Sequence, residues 1–131
     1  MTITMSLEIE VGTTLEEIFL SLSDFGANPC IDNGIVSGNF KASNTYFVFR
    51  ECDGVNEIAT EDAGADWYVG TRGAMHCPVE SLAASSDDVR QFLIFLSKTK
   101  SCRFILSFQY ESTYAIRDEG GLRFLKEIMD Q

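Results

Sequence analysis

The chain has 131 residues, a formal net charge of −10 at pH 7 and a hydrophobic fraction of 45%. This length corresponds to one domain, and a domain of this size buries roughly two-thirds of its unfolded surface without needing a metal or a disulfide. The apolar content excludes a disordered chain, and no run of about 18 apolar residues is present that could cross a membrane. We therefore expect a single domain over residues 1–131 that does not associate with membranes.

The cysteine spacing and the N-terminal residues bear on the compartment. The cysteines form no CxxC pair, and residues 1–5 lack the basic region and the continuous apolar run of a signal peptide. Cytoplasmic proteins keep their thiols reduced. The sequence therefore predicts a cytoplasmic protein with four free cysteines: Cys30, Cys52, Cys77 and Cys102.

The start of the chain predicts a strand followed by a helix. Residues 2–11 alternate strictly between apolar and polar side chains, which is the period of a half-buried strand. Thr13 and Thr14 each precede a glutamate by three residues, which is the capping-box pattern of a helix start. Apolar residues then recur at helical spacing, and the helix is predicted to end near Gly26.

The middle of the chain predicts strands joined by turns. Residues 27–45 are rich in Asn, Gly and Ser, and residues 32–34 (Asp-Asn-Gly) predict a turn, whereas residues 45–51 are aromatic and β-branched. Residues 52–54 (Cys-Asp-Gly) predict a tight hairpin turn, and residues 61–66 predict a polar loop. The strands predicted here are residues 35–40, 45–51, 55–60 and 67–71.

The C-terminal half predicts two further helices around a second pair of strands. Residues 85–88 (Ser-Ser-Asp-Asp) predict a helix start, and residues 102–110 predict a strand that residues 113–117 continue or pair with. The Gly-Gly pair at 120–121 breaks the chain before a last amphipathic helix over residues 122–129. Strands that cluster in hairpins favour an α+β fold, with a mostly antiparallel sheet of about five to seven strands and three helices packed against it.

The negative charge is confined to the first half of the chain. Residues 1–66 contain twelve acidic and two basic side chains, whereas residues 67–131 contain eight of each. Such a field attracts basic partners and disfavours nucleic acid and anionic membranes, although the same charge could serve only to keep the protein soluble. Six carboxylates lie within 16 residues that contain no lysine or arginine, and we predict that they bind a partner: Glu51, Asp53, Glu57, Glu61, Asp62 and Asp66.

Aromatic side chains near this cluster extend the predicted surface. Aromatic residues beside charge are typical of the side chains that dominate binding energy at interfaces. Alternate residues of a strand face opposite sides, so we predict that Trp67 lies in the core and that Tyr68 is exposed. Tyr68 and Tyr46 are therefore added to the predicted partner-binding residues. The mixed aromatic and polar segment of residues 108–118 is an alternative binding edge.

The sequence offers little for catalysis or metal binding. His76 is the sole histidine, and its neighbour Cys77 would point away from it on an extended segment. The cysteines have no metal-ligand spacing, and the paired carboxylates are explained by helix starts or lie in a loop with no apolar pocket. We therefore expect a protein that is not an enzyme, with no catalytic residue, metal or cofactor.

In these features the chain resembles the immunity proteins of bacterial polymorphic toxin systems, including those of contact-dependent growth inhibition. The resemblance covers its length, its acidity and the aromatic and acidic stretch of residues 45–68. It implies that the protein binds a cognate basic toxin domain, often a nuclease, and blocks the toxin's active site with the acidic surface. The free protein is then expected to be a monomer or a weak dimer that does not contact nucleic acid directly.

Three other functions stay open. An acidic nucleic-acid mimic would use the same charge to bind several host DNA-binding proteins, although such mimics usually spread their charge over the whole body. A small enzyme of unknown reaction would need a pocket with convergent polar groups and a perturbed pKa. A structural subunit would bury its exposed apolar residues in a stable oligomer.

Overall fold

The computed structural model describes residues 1–128, which form one antiparallel sheet and two α-helices. The strands, in chain order, are Thr2–Glu10 (β1), Asn28–Asp32 (β2), Ile35–Asn39 (β3), Tyr46–Glu51 (β4), Val69–Pro78 (β5), Phe104–Phe108 (β6), Ser112–Asp118 (β7) and Gly121–Phe124 (β8). The helices are Leu15–Phe25 (α1) and Leu82–Thr99 (α2). The order across the sheet is β2-β3-β4-β5-β1-β6-β7-β8. The α+β class is confirmed, but these residues form eight strands instead of five to seven and two α-helices instead of three.

Strand β1 lies inside the sheet and shows how its two faces differ. The strand is not half-buried as predicted, since Ser6 and Glu8 on its polar face are buried as well. The predicted alternation is confirmed, since Met5, Leu7 and Ile9 are fully buried in the main core. Each large apolar side chain buried in this way contributes roughly 1.5–3 kcal/mol. The helices supply apolar stripes to the same core: Leu15, Ile18 and Leu22 from α1, and Val89, Phe92, Leu93 and Leu96 from α2.

The predicted signals at both ends of α1 are confirmed. Thr14 Oγ1 accepts a hydrogen bond from the Glu17 N–H at 3.1 Å, and Glu17 Oε1 accepts one from the Thr14 N–H at 3.1 Å. This reciprocal capping box satisfies two backbone donors that the helix itself leaves unpaired. Gly26 then adopts a φ of 101°, the left-handed conformation that commonly ends a helix.

The predicted hairpin turn at residues 52–54 and its partner strand at residues 55–60 are wrong. Strand β4 pairs with β5 instead. The connection between them, residues 52–68, is irregular, and its sheet-like pairing in the described structure is one bridge between Glu57 and Tyr68. Residues 52–54 therefore have the sequence of a tight turn, but the chain does not form a hairpin at that point.

The reason is the length of β5, which the sequence suggests ends near Thr71 but which continues to Pro78. The Arg72-Gly73 pair resembles a strand end. Gly73 is instead a packing position, because a Cβ built there would lie 2.2 Å from the Phe49 ring. The extended β5 therefore occupies the place beside β4 that the short predicted strand was expected to fill.

The predicted C-terminal helix over residues 122–129 is also wrong. Residues 122–124 belong to β8, which pairs with β7, and Met129 lies outside the described residues. The apolar spacing fits a helix, but Gly121 adopts a φ of 100° and lies opposite Asp118 after a two-residue turn. Glycine reaches this left-handed region without steric penalty, so the Gly-Gly pair forms a hairpin.

The turn predicted at residues 32–34 is confirmed, and it joins β3 to β2, which is not among the predicted strands. Asn33 and Gly34 both adopt positive φ, 51° and 73°, as a two-residue hairpin turn requires. Helix α2 begins at Leu82 and not at residue 85, after a single 3-10 turn at Val79–Ser81. Neither α-helix formed by residues 1–128 is long and apolar enough to span a bilayer.

Candidate binding surface

Residues 51–68, here called the acidic segment, lie against the face of the sheet opposite the helices. A second, smaller core fills the space between this segment and the sheet. Its buried members are Trp67, Val69, Ile105 and Ile116, and Cys52, Ile58, Ala63 and Ala65 pack against them. Because apolar side chains support it from below, the acidic segment is a packed part of the fold and not a free loop.

Beneath the acidic segment, Glu8 of β1 is a fully buried carboxylate. Glu8 Oε2 accepts a hydrogen bond from the Ala59 N–H at 2.8 Å, and Oε1 accepts from the Thr60 N–H at 3.0 Å and from Thr60 Oγ1 at 2.5 Å. Arg72, opposite Glu8 in the sheet, forms an ion pair with Glu8 at 3.3 Å. A buried charge needs such partners, and here they fix the middle of the acidic segment to the sheet.

Further hydrogen bonds hold the acidic segment on either side of Glu8. Asp62 Oδ1 accepts from the Thr113 N–H at 2.9 Å and from Thr113 Oγ1 at 2.5 Å. Arg72 Nη2 donates to the Glu57 carbonyl at 2.8 Å, and the Val11 N–H donates to the Tyr68 carbonyl at 2.9 Å. A surface anchored at this many points loses little conformational entropy when a partner binds.

All eight residues predicted to bind a partner are exposed, but their carboxylates fall into two groups. Two of them accept hydrogen bonds from the rest of the fold. Asp62 accepts one from the Thr113 N–H of β7, and Glu51 Oε1 accepts one from the Leu15 N–H at the start of α1 at 3.0 Å. The other four accept no hydrogen bond and form no ion pair within residues 1–128: Asp53, Glu57, Glu61 and Asp66.

The structure brings three of the predicted residues together around one cleft of about 300 Å³. Glu57, Asp66 and Tyr68 line this Glu57–Asp66 cleft together with Ile58, Ala65 and Trp67. The prediction for the aromatic pair is confirmed, since Trp67 is 6% exposed and Tyr68 is 51% exposed.

The other predicted residues lie elsewhere on the acidic segment and the sheet. Glu51 and Asp53 border a separate groove beside the start of α1. Glu61 and Asp62 lie near the β6–β7 turn, where the Glu61 N–H donates to the Tyr110 carbonyl at 2.9 Å. The predicted carboxylates therefore form three neighbouring groups along the segment and not one continuous cluster.

Tyr46 lies apart from the acidic segment, at the opposite end of β4 from Glu51. Its ring stacks on His76 with 6.1 Å between centroids, and Thr4 Oγ1 lies 3.0 Å from His76 Nδ1. These three side chains belong to strands that are distant in the chain, so their contacts could not be predicted from the sequence. Only the position of Tyr46 on the surface was predicted.

His76 and Cys77 face opposite sides of β5, as predicted. Cys77 lies fully buried in the main core, and burial raises the pKa of its thiol to about 11. A thiol with such a pKa is protonated at neutral pH and is a poor nucleophile. Within residues 1–128 no group of three or more His, Cys, Asp and Glu side chains is placed to hold a metal ion.

The alternative binding edge, residues 108–118, largely supports the acidic segment from below. Thr113 and Ile116 are buried, and Thr113 bonds Asp62. Gln109 and Tyr110 form the turn between β6 and β7 with φ values of 50° and 65°. The part of this edge that lies under the acidic segment is therefore not available to a partner.

One ion-paired group borders the acidic segment. Arg103 Nη2 lies 2.6 Å from Glu10 Oε2, and Arg103 Nη1 lies 2.8 Å from Glu119 Oε1. The hydrogen bond from Arg103 is the main cause that holds the pKa of Glu10 below its ordinary value. Arg103 is thus already paired with two carboxylates.

No protein-family model, curated protein or solved structure matches this chain. What the protein does must therefore be inferred from its own geometry. The features that bear on function are the unpaired carboxylates of the acidic segment, the Glu57–Asp66 cleft and the buried contacts that hold both in place.

Proposed function

We propose that the protein is an immunity protein that binds a cognate basic toxin domain through the acidic segment and covers the toxin's active site. The observation that carries this proposal is the state of four exposed carboxylates, Asp53, Glu57, Glu61 and Asp66, which have no hydrogen-bonding or ion-pairing partner within residues 1–128. Such groups are available to lysine and arginine side chains of a partner.

The anchoring of the acidic segment supports docking over a purely solubilising role. A loop that only keeps a protein soluble needs charge but no fixed shape. Here a carboxylate, Glu8, is buried beneath the segment, and an aromatic ring, Trp67, packs under it. Burying a charge is costly unless it is fully paired, so its use to fix a surface loop favours a defined binding geometry.

Exposed apolar side chains on the same segment add contact area. Tyr68 is 51% exposed and Val55 is 78% exposed. Tyrosine is among the residues that contribute most at protein interfaces, whereas charge mainly raises the association rate and sets specificity. The surface therefore combines attraction for a basic partner with groups that can be buried on contact.

The proposal is tested by capturing the partner and assaying its activity. The tagged protein is incubated with extract of its own cells at low salt, and bound proteins are eluted at raised salt. We expect one protein with a basic domain at near-equal stoichiometry, because screened charges release it. Its toxic activity, with nucleic-acid cleavage assayed first, should be abolished at a one-to-one ratio.

Other outcomes would overturn the proposal in specific ways. Several unrelated DNA-binding proteins in the eluate would identify an acidic nucleic-acid mimic. Recovery of the protein alone, as a stable oligomer, would identify a structural subunit. A captured enzyme that keeps its full activity in the complex would show that the acidic segment does not block an active site.

A further inference from the structure

The Glu57–Asp66 cleft has the size and lining of a site for one cationic side chain. Its volume of about 300 Å³ lies at the lower end of ligand sites, which span roughly 300–1,000 Å³. Its lining includes two acidic residues, Glu57 and Asp66, and two aromatic residues, the buried Trp67 and the exposed Tyr68. Carboxylates bind cations by charge-assisted hydrogen bonds, and aromatic faces attract them further.

Two arginines interact with residues that line the cleft, Arg72 with the Glu57 carbonyl and Arg103 with the charge of Asp66, and each is held by another carboxylate. Arg72 is paired with the buried Glu8 at 3.3 Å. Arg103, which feels the charge of Asp66, is paired with Glu10 at 2.6 Å. The two carboxylates of the cleft are therefore not neutralised by a close contact from within residues 1–128.

Trp67 provides an independent observation. Its side chain is almost fully buried, and its indole Nε1–H makes no hydrogen bond within the described residues. Buried polar groups in proteins nearly always have a partner. Trp67 lines the cleft but its Nε1 is buried, so an acceptor oxygen from a bound group reaches this donor when the lining of the cleft shifts on binding.

We propose that the Glu57–Asp66 cleft receives an arginine residue of the partner, which on the proposed function belongs to the toxin. The guanidinium bonds the carboxylates of Glu57 and Asp66 and lies against Tyr68, while a backbone carbonyl of the same segment accepts from Trp67 Nε1. Arginine fits better than lysine because its planar group carries five donors and stacks on aromatic rings.

The inference is tested with a small probe that needs no knowledge of the toxin. The peptide acetyl-Gly-Arg-Gly-amide is titrated into the ¹⁵N-labelled protein at constant ionic strength, and the indole N–H resonance is followed. Trp67 is the only tryptophan, so this single signal reports on the cleft. The control peptide carries citrulline, which has nearly the shape of arginine without its charge.

We expect a saturable shift of the indole resonance with the arginine peptide and little change with the citrulline peptide. The variant Glu57→Gln/Asp66→Asn should bind the arginine peptide at least about ten-fold more weakly, since charge-assisted hydrogen bonds are lost. The matched variant Asp24→Asn/Asp87→Asn, which changes exposed carboxylates on the helices, should bind like the wild type.

Three results would overturn the inference: no saturable shift up to about 100 mM arginine peptide, equal binding of the citrulline peptide, or unchanged binding by Glu57→Gln/Asp66→Asn. These results are distinct from failure of the proposed function. Peptide binding without a toxin partner would leave the arginine cleft in place and refute the immunity role. Toxin inhibition without peptide binding would support the immunity role and refute the arginine cleft.

Discussion

Among single residues, Glu8 has the largest predicted effect on the acidic segment. In the variant Glu8→Ala the amides of Ala59 and Thr60 lose their acceptor, and Arg72 is left without its ion pair. Buried amides left without an acceptor cost about 1–3 kcal/mol, and the charge of Arg72, which is 27% exposed, is only partly desolvated, so we expect the free energy of unfolding to fall by about 2–4 kcal/mol. Urea unfolding of both proteins measures the difference.

A double variant separates the ion pair from the shape of the site. Glu8→Met/Arg72→Met removes both charges, and apolar side chains of similar volume often replace a buried pair at little cost. It should therefore recover the part of the stability that Glu8→Ala loses through the uncompensated Arg72 charge, while the Ala59 and Thr60 amides, which still lack an acceptor, exchange with solvent faster than in the wild type. A Glu8→Ala protein as stable as the wild type would refute the anchoring role.

Two adjacent acidic residues of the acidic segment, Glu61 and Asp62, are predicted to differ in their contribution to stability. Asp62 bonds both the N–H and the hydroxyl of Thr113, whereas the Glu61 carboxylate has no such contact within residues 1–128. We expect Asp62→Ala to lower the free energy of unfolding by about 1 kcal/mol and Glu61→Ala to change it by less than about 0.5 kcal/mol. Equal losses in urea unfolding would contradict the assignment.

Part of this residue-level picture was predictable. The prediction that Trp67 is buried and Tyr68 exposed is correct, although both precede β5, which begins at Val69, so their opposite orientation does not come from a regular strand. No sequence signal separates Asp62 from Glu61, or marks Glu8 as buried, because their partners lie roughly fifty positions away in the chain. Contacts of that separation follow from the course of the chain over the sheet and not from the neighbouring residues.

At the level of elements, the pairing of β4 with β5 depends on the absence of a side chain at Gly73. A Cβ there would lie 2.2 Å from the Phe49 ring, which is fully buried. Overpacking a core costs about 1–3 kcal/mol, so Gly73→Ala should lower the melting temperature. In Gly73→Ala/Phe49→Leu the smaller side chain should remove part of this clash, giving less than the sum of the two single effects. Additive losses would show that Gly73 and Phe49 do not interact.

The elements that local patterns predict well are those whose signals are complete within the element. Strand β1 has nine alternating residues, and α1 has a capping box and a terminal glycine. The acidic segment contains a turn sequence and β-forming residues, yet it does not form the predicted strand beside β4, because the longer β5 pairs with β4 instead. The spacing of Leu122, Leu125 and Ile128 fits a helix, but the hairpin at Gly121 pairs residues 121–124 with β7, and β8 ends at Phe124.

For the whole molecule, the acidic character makes stability depend on pH. The pKa of Glu10 is held below its ordinary value of 4.5, chiefly by the hydrogen bond from Arg103. A carboxylate with a lowered pKa in the folded state stabilises the protein above its unfolded pKa, and this contribution is lost as the pH falls through the folded pKa. Arg103→Met should therefore be less stable than the wild type at pH 7.

The difference between these two proteins should disappear on acidification. As the pH falls below 4.5, Glu10 is protonated first in the unfolded state, so its contribution shrinks and the two stability curves should converge once the pH is below the lower folded pKa. The general relief of charge repulsion affects both proteins and cancels in the comparison. Urea unfolding at a series of pH values measures the gap. A gap that stays constant from pH 7 to below the folded pKa would contradict the role of this pair.

The confinement of charge to the first half of the chain was evident from composition, but its consequence for binding depends on the fold. The sheet places the acidic segment on the face opposite the helices, so a charge change can be made there or on the helical side. The segment variant replaces three free carboxylates by lysine: Asp53, Glu57 and Asp66. The matched control makes the same change in net charge on the helical side: Asp24, Glu80 and Asp87.

The most direct test of the account is the association rate of these proteins with the captured basic partner at increasing salt. We predict that the wild type and the control variant associate rapidly at low salt and slow together as salt rises. The affinity of the segment variant for the partner should be lower by a factor of about 100 or more, because three carboxylates that attract basic groups of the partner become lysines that repel them. Equal weakening of the two variants would show that only net charge matters and would contradict a binding surface at the acidic segment.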